Sequence, residues 1–416
     1  MGHLARLALV AAALAFALAA PVGAKAPNIV FILTDDLDAA AAAHMSQVKT
    51  LITDQGTSFR HHYVSLSMCC PSRVATLRGQ FAHNTGVYTN NWPDGGFELV
   101  YSEGLERSTL ATWLKDAGYR TALLGKYLNG YPDTAPSDTY VPPGWTEWMS
   151  PISGDPHGGF DYVMNHNGKK EHYGTKESDY LTDVLSAESA NFIRRSVQQF
   201  PNQPFFLYVA PYTPHTPATP APRHEKAFKN IQAPRTASWN EADVSDKPNW
   251  VSTLPLLNAS QIKDIDKLYR KRRQTLLSID DLVQNVVLTL QSTGQLNNTY
   301  VFFTSDNGPS RESRNWLDGT LDPYYGGTTG RLKGHKFSFY EGGIRVPGIL
   351  HWPERIGAGQ VRAAACASMD VMPTLLAAAG GAAGEFETDG RDLLAYASGG
   401  TAPGEQIGSA SGRGRV

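Results

Sequence analysis

Polar side chains follow four apolar, strand-like runs of the sequence, at the point where each run ends. In chain order they are Asp35 and Asp36, Lys126, His215, and Asp306 and Asn307. Each alone is most simply an ordinary turn or cap residue, because Asp and Asn favour turns. Parallel strands, however, present their carboxyl ends at one edge of a sheet, where ligands bind. The occurrence of such polar residues after four predicted strands therefore predicts one shared site.

The predicted site combines ligands for a hard cation with a group that binds anions. Carboxylate and amide oxygens suit Ca²⁺ or Mg²⁺, and they do not suit zinc. Lys126 would be an unusual neighbour in a pure metal site. Its positive charge indicates that the site also binds an anion.

A second signal is the string Cys69-Cys70-Pro71-Ser72-Arg73, which runs into the helix-like stretch 74–77 and then Gly79. Proline is favoured at a helix start, and the free backbone N–H groups there bind anions. Arg73 would add a guanidinium with several donors. The plainer interpretation is a helix cap with two buried thiols. A C-x-P-S-R string arises by chance in roughly one chain of this length in 400.

Strand-like and helix-like runs alternate along the chain. The strands are predicted at 28–34, 119–125, 204–210, 300–305 and 346–351, and the helices at 108–117, 180–200 and 262–291. This alternation predicts an α/β fold, with a large, mostly parallel sheet flanked by helices on both faces. Three aperiodic stretches, 131–159, 211–250 and 309–331, are expected to form loops that build the pocket.

Composition excludes several classes of protein. The 416 residues carry 37 Lys plus Arg against 39 Asp plus Glu, which gives a net charge of −2. We therefore expect no nucleic-acid partner and no anionic membrane surface as a partner. Three cysteines exclude a disulfide framework or a Cys-rich zinc module. The 41% apolar content also excludes a disordered or collagen-like chain.

The two ends of the chain differ from its middle. Residues 1–24 have the charge, apolar run and small residues of a secretory signal peptide, so we expect export to a secreted, lysosomal or periplasmic location. The alternative, a membrane anchor, would need a longer apolar run. Residues 25–395 are predicted to form one catalytic domain, and residues 396–416 a disordered Gly/Ser/Arg-rich tail. Sequons at Asn258 and Asn297 would make a eukaryotic product a glycoprotein.

The C-x-P-S-R string resembles the signature of the type I, formylglycine-dependent sulfatases of the alkaline-phosphatase-like superfamily. Similar segments cover nearly the whole chain: 28–36, 83–87, 125–129, 214–215, 304–308 and 336–347. The double cysteine, G-K-Y-L-N at 125–129 and R-Q-T-L-L-S-I-D-D at 273–281 look most like N-acetylglucosamine-6-sulfatases. The stretch 306–343 is closer to bacterial-type arylsulfatases.

The resemblance implies a sulfuric ester hydrolase acting on sulfated sugars, glycosaminoglycans among them, or on aryl sulfates. A formylglycine-generating enzyme would convert Cys69 to formylglycine, whose hydrate attacks sulfur. One Ca²⁺ would be bound by Asp35, Asp36, Asp306, Asn307 and the modified Cys69. The remaining implied roles are Arg73 on the diol oxygen, Lys126 and Lys336 on the sulfuryl oxygens, and His215 on the bridging oxygen as the leaving-group acid. No membrane association is expected once the signal peptide is removed.

Departures from the family pattern leave alternatives open. Many sulfatases carry His where this chain has Leu128. By comparison with the family, the smaller C-terminal domain is expected to be missing or truncated. A phosphodiester or phosphonate monoester hydrolase of the same superfamily, and a glycan-binding pseudoenzyme, are the alternative functions. The basic run 270–273 is expected to be a solvated helix face, with contact to a sulfated polymer as the alternative. Four aromatic residues could stack on sugars, although core packing is the simpler expectation: Trp92, Trp145, Trp148 and Tyr173.

Overall fold

The computed structural model describes residues 25–237, 239–253, 255–310, 329–381 and 386–402. The predicted signal peptide, most of the aperiodic stretch 309–331 and the tail from 403 onward lie outside the described residues. The strands are β1 (Asn28–Thr34), β2 (Thr57–Tyr63), β3 (Arg120–Gly125), β4 (Glu147–Asp155), β5 (Phe160–His166), β6 (Lys169–Tyr173), β7 (Phe205–Ala210), β8 (Thr299–Ser305), β9 (Gly348–His351) and β10 (Gln360–Ala367).

The longer helices are α1 (Cys69–Arg78), α2 (Gly96–Ser102), α3 (Leu110–Asp116), α4 (Leu181–Gln199), α5 (Ala259–Ser292) and α6 (Val371–Ala378). Short helical turns occupy Ala41–His44, Ser46–Val48, Lys49–Thr53, Ala82–Thr85, Leu105–Arg107, Glu177–Asp179, Pro222–His224, Asn249–Ser252, Leu296–Asn298, Glu341–Ile344, Ser368–Asp370 and Leu394–Ala397. No helix in the described ranges combines the length and apolarity that a membrane crossing requires.

The ten strands form one sheet in the order β10-β2-β9-β8-β1-β7-β3-β4-β5-β6. The five central strands, β8-β1-β7-β3-β4, are parallel to one another. On one side, β9 runs antiparallel to both β8 and β2; on the other, β4, β5 and β6 form an antiparallel meander. The predicted α/β architecture is confirmed, with antiparallel strands added around its parallel centre.

The central strand β1 is buried on both faces, which its unbroken apolar sequence predicts. Ile29, Phe31 and Leu33 pack in the core with α1, α2, α3 and α6. Val30 and Ile32 point to the opposite face and pack with α4 and α5. Each fully buried side chain of this kind stabilises the fold by roughly 1.5–3 kcal/mol. The sheet is therefore a rigid support for the residues that follow its strands.

One expectation about the loops is wrong. The stretch 131–159, expected to form a loop, contains β4. Its register shifts between Pro151 and Ser153, and again between Gly154 and Asp155, where it pairs with β5. Proline and glycine are tolerated in strands at such irregularities, and they hide the alternation that would mark a strand in the sequence.

Candidate active site

The parallel strands bring all the predicted strand-end residues to one edge of the sheet. Asp35 and Asp36 follow β1, Lys126 follows β3, and Asp306 with Asn307 follows β8. Each of these residues is at most 3% exposed. His215 lies in the loop after β7, and 23% of its side chain is exposed. The structure thus places these six residues in one cluster.

Cys69 is the first residue of α1, which ends at Gly79 in the left-handed conformation (φ +66°). Its Sγ atom is 3.6 Å from Asp35 Oδ1 and 3.1 Å from Lys336 Nζ. Burial raises the pKa of this thiol to about 12, although Lys126 and Lys336 act in the opposite direction. The neighbouring Cys70 is fully buried and lies on the apolar core, as expected.

Arg73 lies one helical turn after Cys69 and is completely buried. Its Nε and Nη2 atoms are 2.9 and 2.8 Å from Asp306 Oδ2, and its Nη1 donates to the carbonyl oxygen of Lys126 at 3.0 Å. Charge-assisted bonds of this kind are strong and directional. Arg73 therefore ties the start of α1 to the ends of β8 and β3.

Two lysines neutralise the paired aspartates. Lys126 Nζ is 2.5 Å from Asp35 Oδ2, and Lys336 Nζ is 2.6 Å from Asp36 Oδ1. Burial opposes ionisation of Asp35, but Lys126 and the other nearby cations outweigh it and hold its pKa well below the usual value. With Asp306 and Arg73 included, three carboxylates face three cationic side chains. The cluster is electrically balanced by the protein alone.

Asp36 adopts a left-handed backbone conformation (φ +64°), which costs a residue with a side chain roughly 1–2 kcal/mol. Several bonds hold it there. Its N–H donates to Asp306 Oδ1 at 3.1 Å, and its carbonyl oxygen accepts from Arg272 Nη2 at 2.8 Å. Strain that the surroundings enforce is typical of functional sites.

Arg272 belongs to the basic run 270–273, and the expectation of a solvated face is wrong for this residue. Its side chain is buried, and its Nη1 also donates to the carbonyl oxygen of Pro214 at 2.9 Å. Arg272 therefore joins the Asp36 backbone to the loop that carries His215. Helical spacing from the buried Ile265 and Leu268 places position 272 on the inner face of α5, so periodicity could have identified it.

Two oxygen atoms of the cluster are buried without any hydrogen-bond donor among the described residues: Asp36 Oδ2 and Asn307 Oδ1. A buried acceptor without a partner is costly and calls for a ligand or an ion. One ligand atom from each of Asp35, Asp36 and Cys69 lies within 4.8 Å of the other two. The carboxylate and amide oxygens here have the chemistry of a site for Ca²⁺ or Mg²⁺. The residues present therefore fit the predicted divalent cation.

A second histidine, which sequence reasoning missed, lies beside His215. The His157 ring centre is 4.6 Å from that of His215 and 4.9 Å from that of Tyr212, edge to face. His215 Nε2 is 3.7 Å from Asp36 Oδ2. Burial, together with the nearby Lys126, lowers the pKa of His157 to about 3. No motif in the sequence marks this residue, because it comes from the turn between β4 and β5.

The four aromatic residues considered as sugar platforms occupy different environments. Trp145 and Trp148 are buried in the main core, as expected. Tyr173 stacks on Tyr162 with ring centres 5.2 Å apart. Tyr173 is half-buried, and Trp92, 54% exposed, is the most open of the four.

Comparison with known proteins gives one consistent result. A family model named Sulfatase matches residues 27–382. The chain is 35% identical to human N-acetylglucosamine-6-sulfatase over 381 residues, which are 89% of this chain and 64% of that protein. It is also 35% identical to a nematode protein (Caenorhabditis elegans) named putative extracellular sulfatase Sulf-1 homolog, over 85% of this chain and 46% of that one. The chain thus spans about half to two-thirds of the length of these relatives.

Among solved structures, that of Ps i-CgsB superposes with a TM-score of 0.65 at 25% identity. The superposition covers 89% of this chain and 76% of that one.

Proposed function

The chain belongs to the sulfatase family, and from this premise we propose that it hydrolyses sulfate monoesters, with 6-sulfated N-acetylglucosamine or related sulfated sugars as the favoured substrates and aryl sulfates as alternatives. The observation that carries this proposal is the position of Cys69. It begins a helix at the base of a balanced ionic cluster, 3.6 Å from Asp35. The similarity to N-acetylglucosamine-6-sulfatase supports the choice of sugar.

In this proposal one Ca²⁺ is held by Asp35, Asp36, Asp306, Asn307 and the side chain at position 69. The cation would supply positive charge that stabilises anionic oxygens next to it. The two orphaned oxygens, Asp36 Oδ2 and Asn307 Oδ1, support this assignment. A divalent charge added to three carboxylates and three cationic side chains leaves an excess of two positive charges. The site would then attract an anionic ester.

Formylglycine made from Cys69 would supply an oxygen nucleophile in the form of a hydrated aldehyde. Lys126 and Lys336 would stabilise the negative charge on the sulfuryl oxygens. Their ammonium groups lie within 3.1 Å of site atoms and are fixed by burial, so they can bind the sulfuryl oxygens without further reorganisation. Arg73 holds α1 and Asp306 in register. His215, which is partly exposed and lies 3.7 Å from Asp36 Oδ2, would contact the bridging oxygen.

We also propose export of the protein and maturation by a formylglycine-generating enzyme. The leader-like residues 1–24 support export, as does the similarity to a protein named as an extracellular sulfatase. A mass spectrum of the peptide containing Cys69 tests maturation, using protein made in a host that has the converting enzyme. Conversion lowers the residue mass by about 18 Da, because one oxygen replaces sulfur and two hydrogens. A thiol that stays intact under these conditions would contradict the proposed nucleophile.

Activity is tested with the converted protein and paired substrates. We expect turnover of 4-nitrophenyl sulfate and N-acetylglucosamine 6-sulfate, and loss of both by at least about a thousandfold in Cys69→Ala, which has no nucleophile. The matched control is Cys70→Ala, since Cys70 is equally buried on the same helix and does not contact the carboxylates. Faster cleavage of the matching aryl phosphonate would favour the phosphonate hydrolase alternative. Sugar binding without turnover would favour the pseudoenzyme.

A further inference from the structure

The described residues of the site form two layers that differ in exposure. A floor cluster, which consists of Asp35, Asp36, Cys69, Lys126 and Lys336, is at most 3% exposed. Above it, three rings are partly open to solvent: Tyr212, His157 and His215. Among the described residues, these three rings form one solvent-exposed side of the site, which we call the mouth.

The turn that carries His157 is held in place by specific bonds. The N–H of Gly158 donates to Asp155 Oδ1 at 2.8 Å, and the N–H of Gly159 donates to the Asp155 carbonyl oxygen at 3.1 Å. The Gly159 carbonyl oxygen in turn accepts from the N–H of Leu181, the first residue of α4. Gly159 has a positive φ (+78°), and a Cβ there would lie 3.0 Å from the Tyr180 ring. The turn is thus anchored to α4, and the position of His157 is fixed in advance of substrate binding.

The position of His157 relative to the floor cluster is also defined. A ring nitrogen of His157, a ring nitrogen of His215 and a carboxylate oxygen of Asp35 all lie within 4.8 Å of one another. Cys69 Sγ lies 3.6 Å from Asp35 Oδ1, on the same carboxylate group. Cys69 and the two imidazoles thus lie next to the same carboxylate group, so a sulfuryl group attacked from position 69 would be within reach of both imidazoles.

We propose that His157 is a catalytic residue that donates a hydrogen bond to the ester's alcohol oxygen, next to His215. This rests on the proposed sulfatase function. In-line displacement at sulfur places the leaving oxygen opposite the nucleophile, as it does at phosphorus. The S–O ester bond breaks, its electron pair goes to the alcohol oxygen, and the net reaction adds the OH of water to sulfur and its hydrogen to the alcohol. An imidazole always carries at least one N–H that can stabilise the developing charge.

A contact of this kind matters most for poor leaving groups. The alkoxide of a sugar is far more basic than 4-nitrophenolate, so it depends more on a donor in the transition state. We expect His157→Ala to lower kcat for N-acetylglucosamine 6-sulfate by about a hundredfold, and to lower kcat for 4-nitrophenyl sulfate by less than about threefold. His157→Gln, which keeps an N–H donor, should recover part of the loss with the sugar.

The matched control is His172→Ala, because His172 lies on β6 of the same meander and is 62% exposed. It should leave both turnover numbers unchanged. Equal losses of kcat on the two substrates, retained turnover of the sugar ester, or a change confined to KM would each overturn the role of His157. Absence of turnover by the wild-type protein would instead refute the proposed function, so the two failures are distinguishable.

Discussion

At the scale of single residues, the two oxygens without donors, Asp36 Oδ2 and Asn307 Oδ1, make metal binding measurable without an activity assay. Leaving such an acceptor buried and unpaired costs about 1–3 kcal/mol. A cation that binds only the folded protein raises the free energy of unfolding, by about 2.7 kcal/mol at a concentration of 100 Kd. We therefore expect Ca²⁺ to raise the Tm of chelator-treated protein, and Asn307→Ala to reduce that increase markedly.

The control for this experiment is Asn202→Ala, since Asn202 is exposed in the turn before β7. It should keep the full effect of Ca²⁺ on Tm. A Ca²⁺-induced rise that is the same in Asn307→Ala as in the wild type would contradict the assignment of Asn307 as a ligand. Differential scanning fluorimetry with and without Ca²⁺ is sufficient to decide.

At the scale of elements, helix α5 acts on the site through Arg272. This side chain bonds the backbones of Asp36 and Pro214 and lies 3.4 Å from the buried carboxylate of Asp38. Replacing it leaves that carboxylate without its cation, which typically destabilises a fold by about 3–5 kcal/mol. We predict such a loss for Arg272→Met in urea unfolding. A lower kcat should accompany it, because Asp36 and the His215 loop lose their shared anchor.

Arg270→Met is the comparison for that variant. Arg270 lies on the same helix and makes only an exposed bond to the Lys229 carbonyl oxygen. Its replacement should change the free energy of unfolding by no more than about 0.5 kcal/mol. Equal free energies of unfolding for Arg272→Met and Arg270→Met would contradict the role of Arg272 as the anchor of Asp36 and Pro214.

The elements also show what a sequence can predict. The buried strand β1 was predicted with the bounds it has, and β3, β7 and β8 to within one residue, because each contains a run of consecutive apolar residues. Residues directly after these strands were therefore predictable as a site. Strand β2 was not predicted, because its sequence TSFRHHY mixes charged and aromatic residues on a half-buried surface. His157 was missed for a related reason, since its turn follows the irregular strand β4.

At the scale of the whole molecule, buried histidines make the fold sensitive to acid. His62 on β2 is 1% exposed, and burial lowers its pKa to about 4. The folded-state pKa lies below the ordinary value of 6.5, so the unfolded chain binds a proton at this residue before the folded protein does. The free energy of unfolding is therefore unaffected by this residue above pH 6.5 and decreases as the pH falls towards 4. The loss is roughly 3 kcal/mol. Burial shifts the pKa of His351 in the same direction, also to about 4.

Glu106 has the opposite effect on the free energy of unfolding. Burial raises its pKa to about 6, so its contribution to stability is lost as the pH rises. Burial also raises the pKa of Asp306 to about 6 and lowers that of His157 to about 3. Between pH 6.5 and 4, the three histidines outweigh these two carboxyl groups. We predict that unfolding in urea becomes easier over this interval, and that His62→Gln flattens the dependence. His61→Gln, at the neighbouring position of β2, should leave the slope unchanged. An equally steep dependence in His62→Gln would contradict the role of His62.

Strand order has a consequence for the time course of biosynthesis. The first strand of the chain, β1, pairs with β8, which is synthesised about 270 residues later. At 5–20 residues per second, the ribosome needs on the order of tens of seconds to cover that distance. During this interval Cys69 belongs to a nascent chain whose sheet is incomplete, whereas afterwards it is 1% exposed. An enzyme that modifies this thiol would therefore have a limited time in which the thiol is accessible. Slower synthesis of the segment between Cys69 and Ser305 would lengthen that time.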